Sequence, residues 1–354
     1  MSKKYQNGFF VFGLVVLVIM VTQLDFREVR SGLQRAGYWF FAVVALWLGL
    51  YVINTLSWYV IIRQGGSGKD KTPFSFWWLY KVTVSGFALN YATPGGLMGG
   101  EAYRIMELAP KIGTERASSS VILYVMTHIF SHFWFWLLSV GIYLITQSPT
   151  MPIAVILALT TAFCMLGIWF FMRGYKKGLA MMLTRWLSKM PWMGKWARRL
   201  MEKQGDKLRE IDTQIAALHK QNPVSFVSAV VLELLCRFLS SFEIMFVLLV
   251  IMPEVSYPSC VIILAFTSLF ANLLFFIPLQ LGGREGGFML SASGLAMAAS
   301  SGIFVALIVR IRELIWTAIG LMLIKMERTK SNKKTKNKTH CRRVDLLCNF
   351  VAII

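Results

Sequence analysis

Apolar residues run along the chain in blocks, at about 8–24, 38–62, 74–93, 119–146, 152–172, 225–252, 259–277 and 302–325. Most reach the length of about 18 residues that a helix needs to cross roughly 30 Å of hydrocarbon. The pattern predicts an all-α polytopic membrane protein. The first block lacks a small-residue cleavage site and further spans follow it, so it reads as a retained span and not as a signal peptide.

Two of the blocks run into breaks. Residues 94–101 read PGGLMGGE and residues 278–285 read PLQLGGRE, and both fit P-x4-G-x-E. Pro94, Gly95, Gly96, Gly99 and Gly100 make the first break; Pro278, Gly282 and Gly283 make the second. Each break is read as the turn of a re-entrant hairpin, over 74–110 and 259–300, with a span following each at a similar distance. Residues 1–147 and 148–325 then form two repeats, each of three transmembrane helices plus a Gly/Pro-broken hairpin. An odd number of crossings per repeat makes the two inverted. Paired Gly/Pro interruptions in inverted repeats point to a transport site near the membrane midplane. The plainer reading is that GG pairs only let helices approach closely. A glutamate beside each break favours function, because an ion at membrane depth is costly and usually functional.

The placement of positive charge supports the hairpin. With 74–110 returning to its own side and the N-terminus inside, Lys3, Lys4, Arg63, Lys69, Lys71, Arg104, Lys111 and Arg116 are cytoplasmic, against Arg27, Arg30 and Arg35 outside. With 74–93 as a full span the division is six against five, so the excess of Lys and Arg expected inside favours the hairpin. The segment 173–224 carries twelve Lys or Arg against four acids, and 326–354 is a basic tail. Both are expected on the cytoplasmic side of the inner membrane, together with the two termini.

Composition agrees with this reading. The chain has 354 residues, 56% hydrophobic and 15% charged, whereas a soluble domain carries about a quarter charged residues. The net charge of +20 is concentrated in the segments just described. Segment 173–224 alternates charged and apolar residues like an amphipathic helix on an anionic lipid surface. Recruitment of a cytoplasmic or membrane partner through it is the sharper alternative, and nucleic acid is not an expected partner. The five cysteines show no CxxC spacing and suggest neither a disulfide framework nor a zinc site.

The segments TPGGLMGGEAYR and IPLQLGGREGGF resemble the two signature segments of the transmembrane flippase-like domain of lysylphosphatidylglycerol synthases and its stand-alone homologues. The resemblance extends from the first span to about Met326, and it implies an integral membrane protein with a role in lipid translocation. The full synthases carry a large soluble aminoacyl-transferase domain after the membrane part. Here a short Lys-rich segment follows residue 325, too short for a catalytic core, so aminoacyl transfer is not expected.

Eleven Lys, Arg or Glu residues lie within the apolar blocks or in the broken hairpins: Lys81, Glu101, Arg104, Glu233, Arg237, Glu243, Arg284, Glu285, Arg310, Arg312 and Glu313. Six are positive and five negative, close to the neutrality a buried network needs. Spacing pairs Glu233 with Arg237 at i,i+4 and Arg310 with Glu313 at i,i+3. One arginine beyond these pairs would suit a phosphate, which guanidinium grips bidentately. The half-helices starting near Glu101 and Glu285 would favour an anion at their free N–H groups. Each glutamate is left three roles: capping its helix, pairing Arg104 or Arg284, or binding a cationic head group. His128 and His132 form HxxxH without the glutamate of a zinc-protease motif, so they are expected to face a polar cavity and no metal is assigned. The twelve tryptophans fit interfacial anchoring and need no cofactor.

No nucleotide-binding loop is present, so transport would draw on a gradient, on lipid asymmetry or on a partner. The expected substrate site comprises Glu101, Arg104, Arg237, Arg284, Glu285, Arg310, Arg312, Glu313 and His128. The expected function is ATP-independent flipping of an anionic, phosphate-bearing lipid, aminoacylated or polyprenyl-linked, with membrane lipids as the partners. The alternatives are a membrane-embedded transferase acting on a lipid phosphate, with Glu101, Glu285 or His128 as base, and an assembly partner that shelters a lipid.

Overall fold

The computed structural model describes residues 26–64, 73–92, 99–177, 223–252, 254–273, 283–295 and 297–335, with a few isolated positions between 184 and 213. The expected first span at 8–24, Pro94, Gly95, Gly96, Pro278, Gly282, nearly all of the basic segment 173–224 and the end of the tail lie outside the described residues.

Every described element is a helix. In chain order they are α1 (Phe26–Ala36), α2 (Tyr38–Gln64), α3 (Phe76–Ala92), α4 (Gly99–Ile112), α5 (Thr114–Thr146), α6 (Met151–Lys177), α7 (Pro223–Leu248), α8 (Tyr257–Leu273), α9 (Gly283–Gly294) and α10 (Ala299–Thr335). Helix α1 was not visible in the hydropathy pattern, because FREVRSGLQRA is too polar to register as a span. It ends at Gly37, whose φ of 54° turns the chain into α2 while its N–H bonds the Leu33 carbonyl at 3.0 Å, a helix stop that suits glycine. Gly113, with φ of 88°, makes the junction between α4 and α5 in the same way. Ser75 starts α3, its hydroxyl accepting from the Trp78 N–H at 3.2 Å as a helix-capping serine does.

Among the described residues three helices are long and apolar enough to cross a membrane: Tyr38–Arg63, Thr114–Thr146 and Met151–Arg173. Helices α7 and α10 have the length as well, and both carry ionisable side chains in their apolar stretches. By contrast α3 and α8 have 17 residues each, about 25 Å at 1.5 Å per residue.

The chain divides into two compact units that cut across the sequence halves. The first comprises Met1–Thr55, Phe74–Glu107 and Cys236–Ile354; the second comprises Leu56–Pro73 and Leu108–Leu235. In the first, α10 is the axis, packing on α1, α3 and α9. Close approach is what allows this. A Cβ at Gly320 would collide with Ala88 of α3, and the Ser85 hydroxyl bonds the Gly320 carbonyl at 3.1 Å. Small residues at such crossings replace the hydrophobic force that lipid cannot supply. Val305 and Ile308 of α10 are buried in one cluster with Val43, Ile244, Cys260 and Phe288.

In the second unit α5 packs along α6, with Phe130 stacked on Phe171 at 4.5 Å between ring centres and Phe133 filling the space above Gly167. Only 6% of the α6 apolar window is buried, so its Leu159, Leu166 and Trp169 side chains are left for lipid.

Candidate functional site

Four arginines of the first unit, Arg104, Arg284, Arg310 and Arg312, each meet a glutamate, and these pairs make up an ionic array. The first pair belongs to the first break. Asn90, on the last turn of α3, donates its carboxamide N–H to Glu101 Oε1 at 2.8 Å, and its Oδ1 accepts from the Gly100 N–H at 2.7 Å. One side chain thus caps α4 and orients the glutamate. Arg104, one turn on, reaches Glu101 Oε1 at 3.4 Å and lies over the Phe87 ring at 4.7 Å. It is buried to 1% exposure. Room for it exists because residue 86 is glycine: a Cβ there would fall 2.5 Å from the Arg104 Nε. A Cβ at Gly100 would likewise meet the Gly86 carbonyl, so the two helices touch backbone to backbone. The second oxygen of Glu101 is buried without a hydrogen-bond partner among the described residues.

At the second break the partners come from α10. Arg284, at the start of α9, donates to Glu313 Oε1, and Glu285 accepts from Arg310. Residues 310 and 313 are three apart and share a helix face, which is why consecutive residues of α9 find both of them. Sequence spacing paired Arg310 with Glu313 instead. The structure corrects this, because each reaches a better-placed partner on the neighbouring helix than on its own.

Glu313 also accepts a hydrogen bond from the Tyr91 hydroxyl on its other oxygen, Oε2. A single carboxylate in the last helix therefore holds one residue at the end of α3 and one at the start of α9, on either side of the two broken stretches.

Arg312 points the other way, as a residue two positions along a helix must. Its Nε and Nη2 donate to the two oxygens of Glu243 in α7 at 2.7 and 2.9 Å, a bidentate fork. The Trp47 indole N–H adds a bond to Glu243 at 3.0 Å, and the guanidinium sits 3.9 Å from the Trp47 ring centre. Arg312 also lies 3.8 Å from Glu313, joining this pair to the previous ones.

The two remaining expected site residues lie elsewhere on the chain. His128 belongs to the second unit, where its Nδ1 is 2.7 Å from Glu233. Glu233 thus takes a partner from α5, where sequence spacing had offered it Arg237. Arg237 is on α7, its carbonyl accepting from Ser240 at 2.7 Å. Among the described glycines of the breaks, Gly99 and Gly100 open α4 and Gly283 opens α9.

Asn90, Tyr91, Trp47 and Glu243 were not among the expected site residues. Asn90 and Tyr91 open the stretch NYATPGGLMGGE, and an amide four residues before Pro94 was a capping signal. Nothing in the sequence brings Trp47 or Glu243 to Arg312.

A family model for the lysylphosphatidylglycerol synthase TM region matches residues 8–320. The chain belongs to this family, and the residues at both breaks fall within the match. Neither a curated protein nor a solved structure matches it.

Proposed function

We propose that this chain moves an anionic, phosphate-bearing lipid across the cytoplasmic membrane without ATP. The observation that carries the reading is the shared carboxylate of Glu313, bound by Tyr91 just before one broken stretch and by Arg284 just after the other. Family membership supports a lipid-related role in the membrane, and the array supplies the chemistry that a phosphate needs.

Every arginine of the array already has a carboxylate, so a phosphate binds by exchange. A lipid phosphate that takes the guanidinium of Arg284 frees one oxygen of Glu313, which keeps Tyr91 on the other and Arg312 beside it. Occupancy by a head group then loosens the start of α9, at the second break. Exchange suits transport better than a surplus cation would. The site is neutral when empty, so it avoids the cost of an unpaired buried charge, and it returns to neutrality when the lipid leaves.

In this reading α3 with α4, and α8 with α9, are re-entrant hairpins entering from opposite sides, within two inverted repeats. Helices of about 25 Å followed by shorter ones suit partial crossing of a core roughly 30 Å thick. The N- and C-termini are cytoplasmic. Single cysteines at Ser67 and Thr114 should both be labelled from the cytoplasm; labelling of Thr114 from the far side would make the first hairpin a full span and remove the inversion.

Function is tested by reconstituting the purified protein in liposomes with head-group-labelled phosphatidylglycerol and measuring its exchange between leaflets. Exchange above that of protein-free liposomes is expected, with Arg284→Gln reducing it at equal folded protein. No exchange, together with a covalently altered lipid after incubation with a donor, would favour a membrane-embedded transferase. A co-purifying lipid that neither crosses nor changes would leave a sheltering role.

A further inference from the structure

The second unit contains a pair of ionisable groups that the array does not use. His128 on α5 and Glu233 on α7 meet at 2.7 Å between Nδ1 and Oε2. The Glu233 side chain is buried to 1% exposure, whereas that of His128 is 30% exposed. The other oxygen of Glu233, Oε1, is buried and has no hydrogen-bond partner among the described residues. We propose that His128 and Glu233 form a proton-binding site, and that a proton taken up there drives lipid movement. The coupling rests on the transport reading above; the site itself does not.

Glu243 shows what a structural carboxylate looks like in this protein. Both of its oxygens are bound by Arg312, and Trp47 adds a third donor. Among the described residues Glu233 has one hydrogen bond, to His128. Thr127 is spent on the Tyr124 carbonyl and Ser131 on the His128 carbonyl, both at 2.8 Å. A bare carboxylate oxygen in an apolar setting is expensive, and a proton is the smallest ligand that removes the expense. Among the described residues there is no group of three or more His, Cys, Asp or Glu that could hold a metal ion, so the residues suit a proton better than a metal.

Aromatic rings flank His128. On α5 the titratable neighbours are Tyr124 and His132, whose rings lie 6.3 and 5.5 Å from that of His128. On α7 the nearest charge in sequence is Arg237, one turn beyond Glu233. Helix α2 contributes the neutral Trp58 against Tyr124. Helix α6 contributes Phe163 and Phe171 to the α5 aromatic residues Phe133 and Phe130.

The proton balance is simple. With one proton shared between imidazole and carboxylate the pair is neutral. A second proton, delivered from water to the exposed imidazole, leaves His128 protonated and Glu233 as the acid, and the pair carries one positive charge. Release of that proton restores the neutral pair. Only N–H and O–H bonds form and break.

The chain has four histidines, so nitrogen-15 NMR of the histidine-labelled full chain in detergent can follow His128, assigned with His128→Asn. His128 should change protonation between about pH 5 and about pH 8. Glu233→Gln should move its midpoint by at least about one pH unit, a tenfold change in proton affinity. A ring that keeps one protonation state throughout, or a midpoint that Glu233→Gln leaves in place, overturns the site. If Glu233→Gln does not fold, infrared titration of the wild type decides: a carboxylic-acid band growing in step with His128 protonation supports the site, and its absence overturns it.

Coupling is read in liposomes containing phosphatidylglycerol. An imposed pH gradient should change the wild-type exchange rate severalfold, and His128→Asn should make the rate indifferent to it. A wild-type rate indifferent to the gradient overturns coupling. A wild type that moves no lipid under either condition overturns the transport reading and the coupling with it, while the NMR titration still decides the proton site.

Discussion

The two breaks share a sequence pattern and solve the same electrostatic problem in opposite ways. At the first, Glu101 is held by Asn90 and Arg104, so the ion is neutralised by residues of its own hairpin. At the second, Arg284 and Glu285 are both neutralised from outside, by Glu313 and Arg310 of α10. The local order of residues decides this. Arg104 follows Glu101 by three positions on one helix face, whereas Arg284 and Glu285 are adjacent and point apart. The first hairpin is therefore self-closed. The second depends on another helix for its charge balance, and it is the one a competing anion can release.

The sharpest way to break this contrast is to remove the internal cation of the first hairpin. Arg104→Gln leaves Glu101 charged and buried, and breaking a buried pair costs about 3–5 kcal/mol. The expected result is a large loss of thermal stability in detergent, with exchange per folded molecule falling much less. Full stability with lost exchange would mean that the first hairpin contacts the substrate.

Arg284→Gln should give the reverse. Its side chain is 24% exposed and Glu313 keeps Tyr91 and Arg312 as neighbours, so the stability loss should be smaller, about 1–3 kcal/mol. Lipid exchange at equal folded protein should fall about tenfold or more, the equivalent of one charge-assisted bond of 1.4 kcal/mol or above. Unchanged exchange would remove Arg284 from the head-group site.

The smallest effect belongs to Glu285→Gln. The glutamate side chain is 36% exposed, and partly exposed pairs contribute about 0–1 kcal/mol. Melting should barely move. Because Arg310 then lacks its carboxylate, labelled phosphatidylglycerol should bind more tightly in equilibrium titration. Weaker binding would show that Glu285 contacts the lipid itself.

Much of this was legible in the residues. The breaks stand out because glycine, proline and glutamate are conspicuous in apolar sequence, and most helices follow the hydropathy blocks. The pairing was less legible. Spacing rules see neighbours on one helix, so they joined Arg310 to Glu313 and Glu233 to Arg237. The partners actually taken by these groups come from other helices, 25 and 29 residues away for Arg310 and Arg284, and 105 for His128 and Glu233. Tyr91 and Glu313 are 222 apart. No local signal encodes such meetings. Helix α1 escaped for a different reason: a membrane protein's polar helices are invisible to a method that looks for apolar length.

The pairing of each arginine with one glutamate has an electrical consequence. A charge carried across the whole membrane field exchanges about 2.3 kcal/mol per 100 mV. Four cations and four anions that shift together carry no net charge, so displacement of the intact array as a body does no work against the membrane potential. Any displacement current recorded from oriented protein on adding lipid would then have to come from the cargo, from its counter-ion, from a proton bound at His128 and Glu233, or from a pair that has come apart.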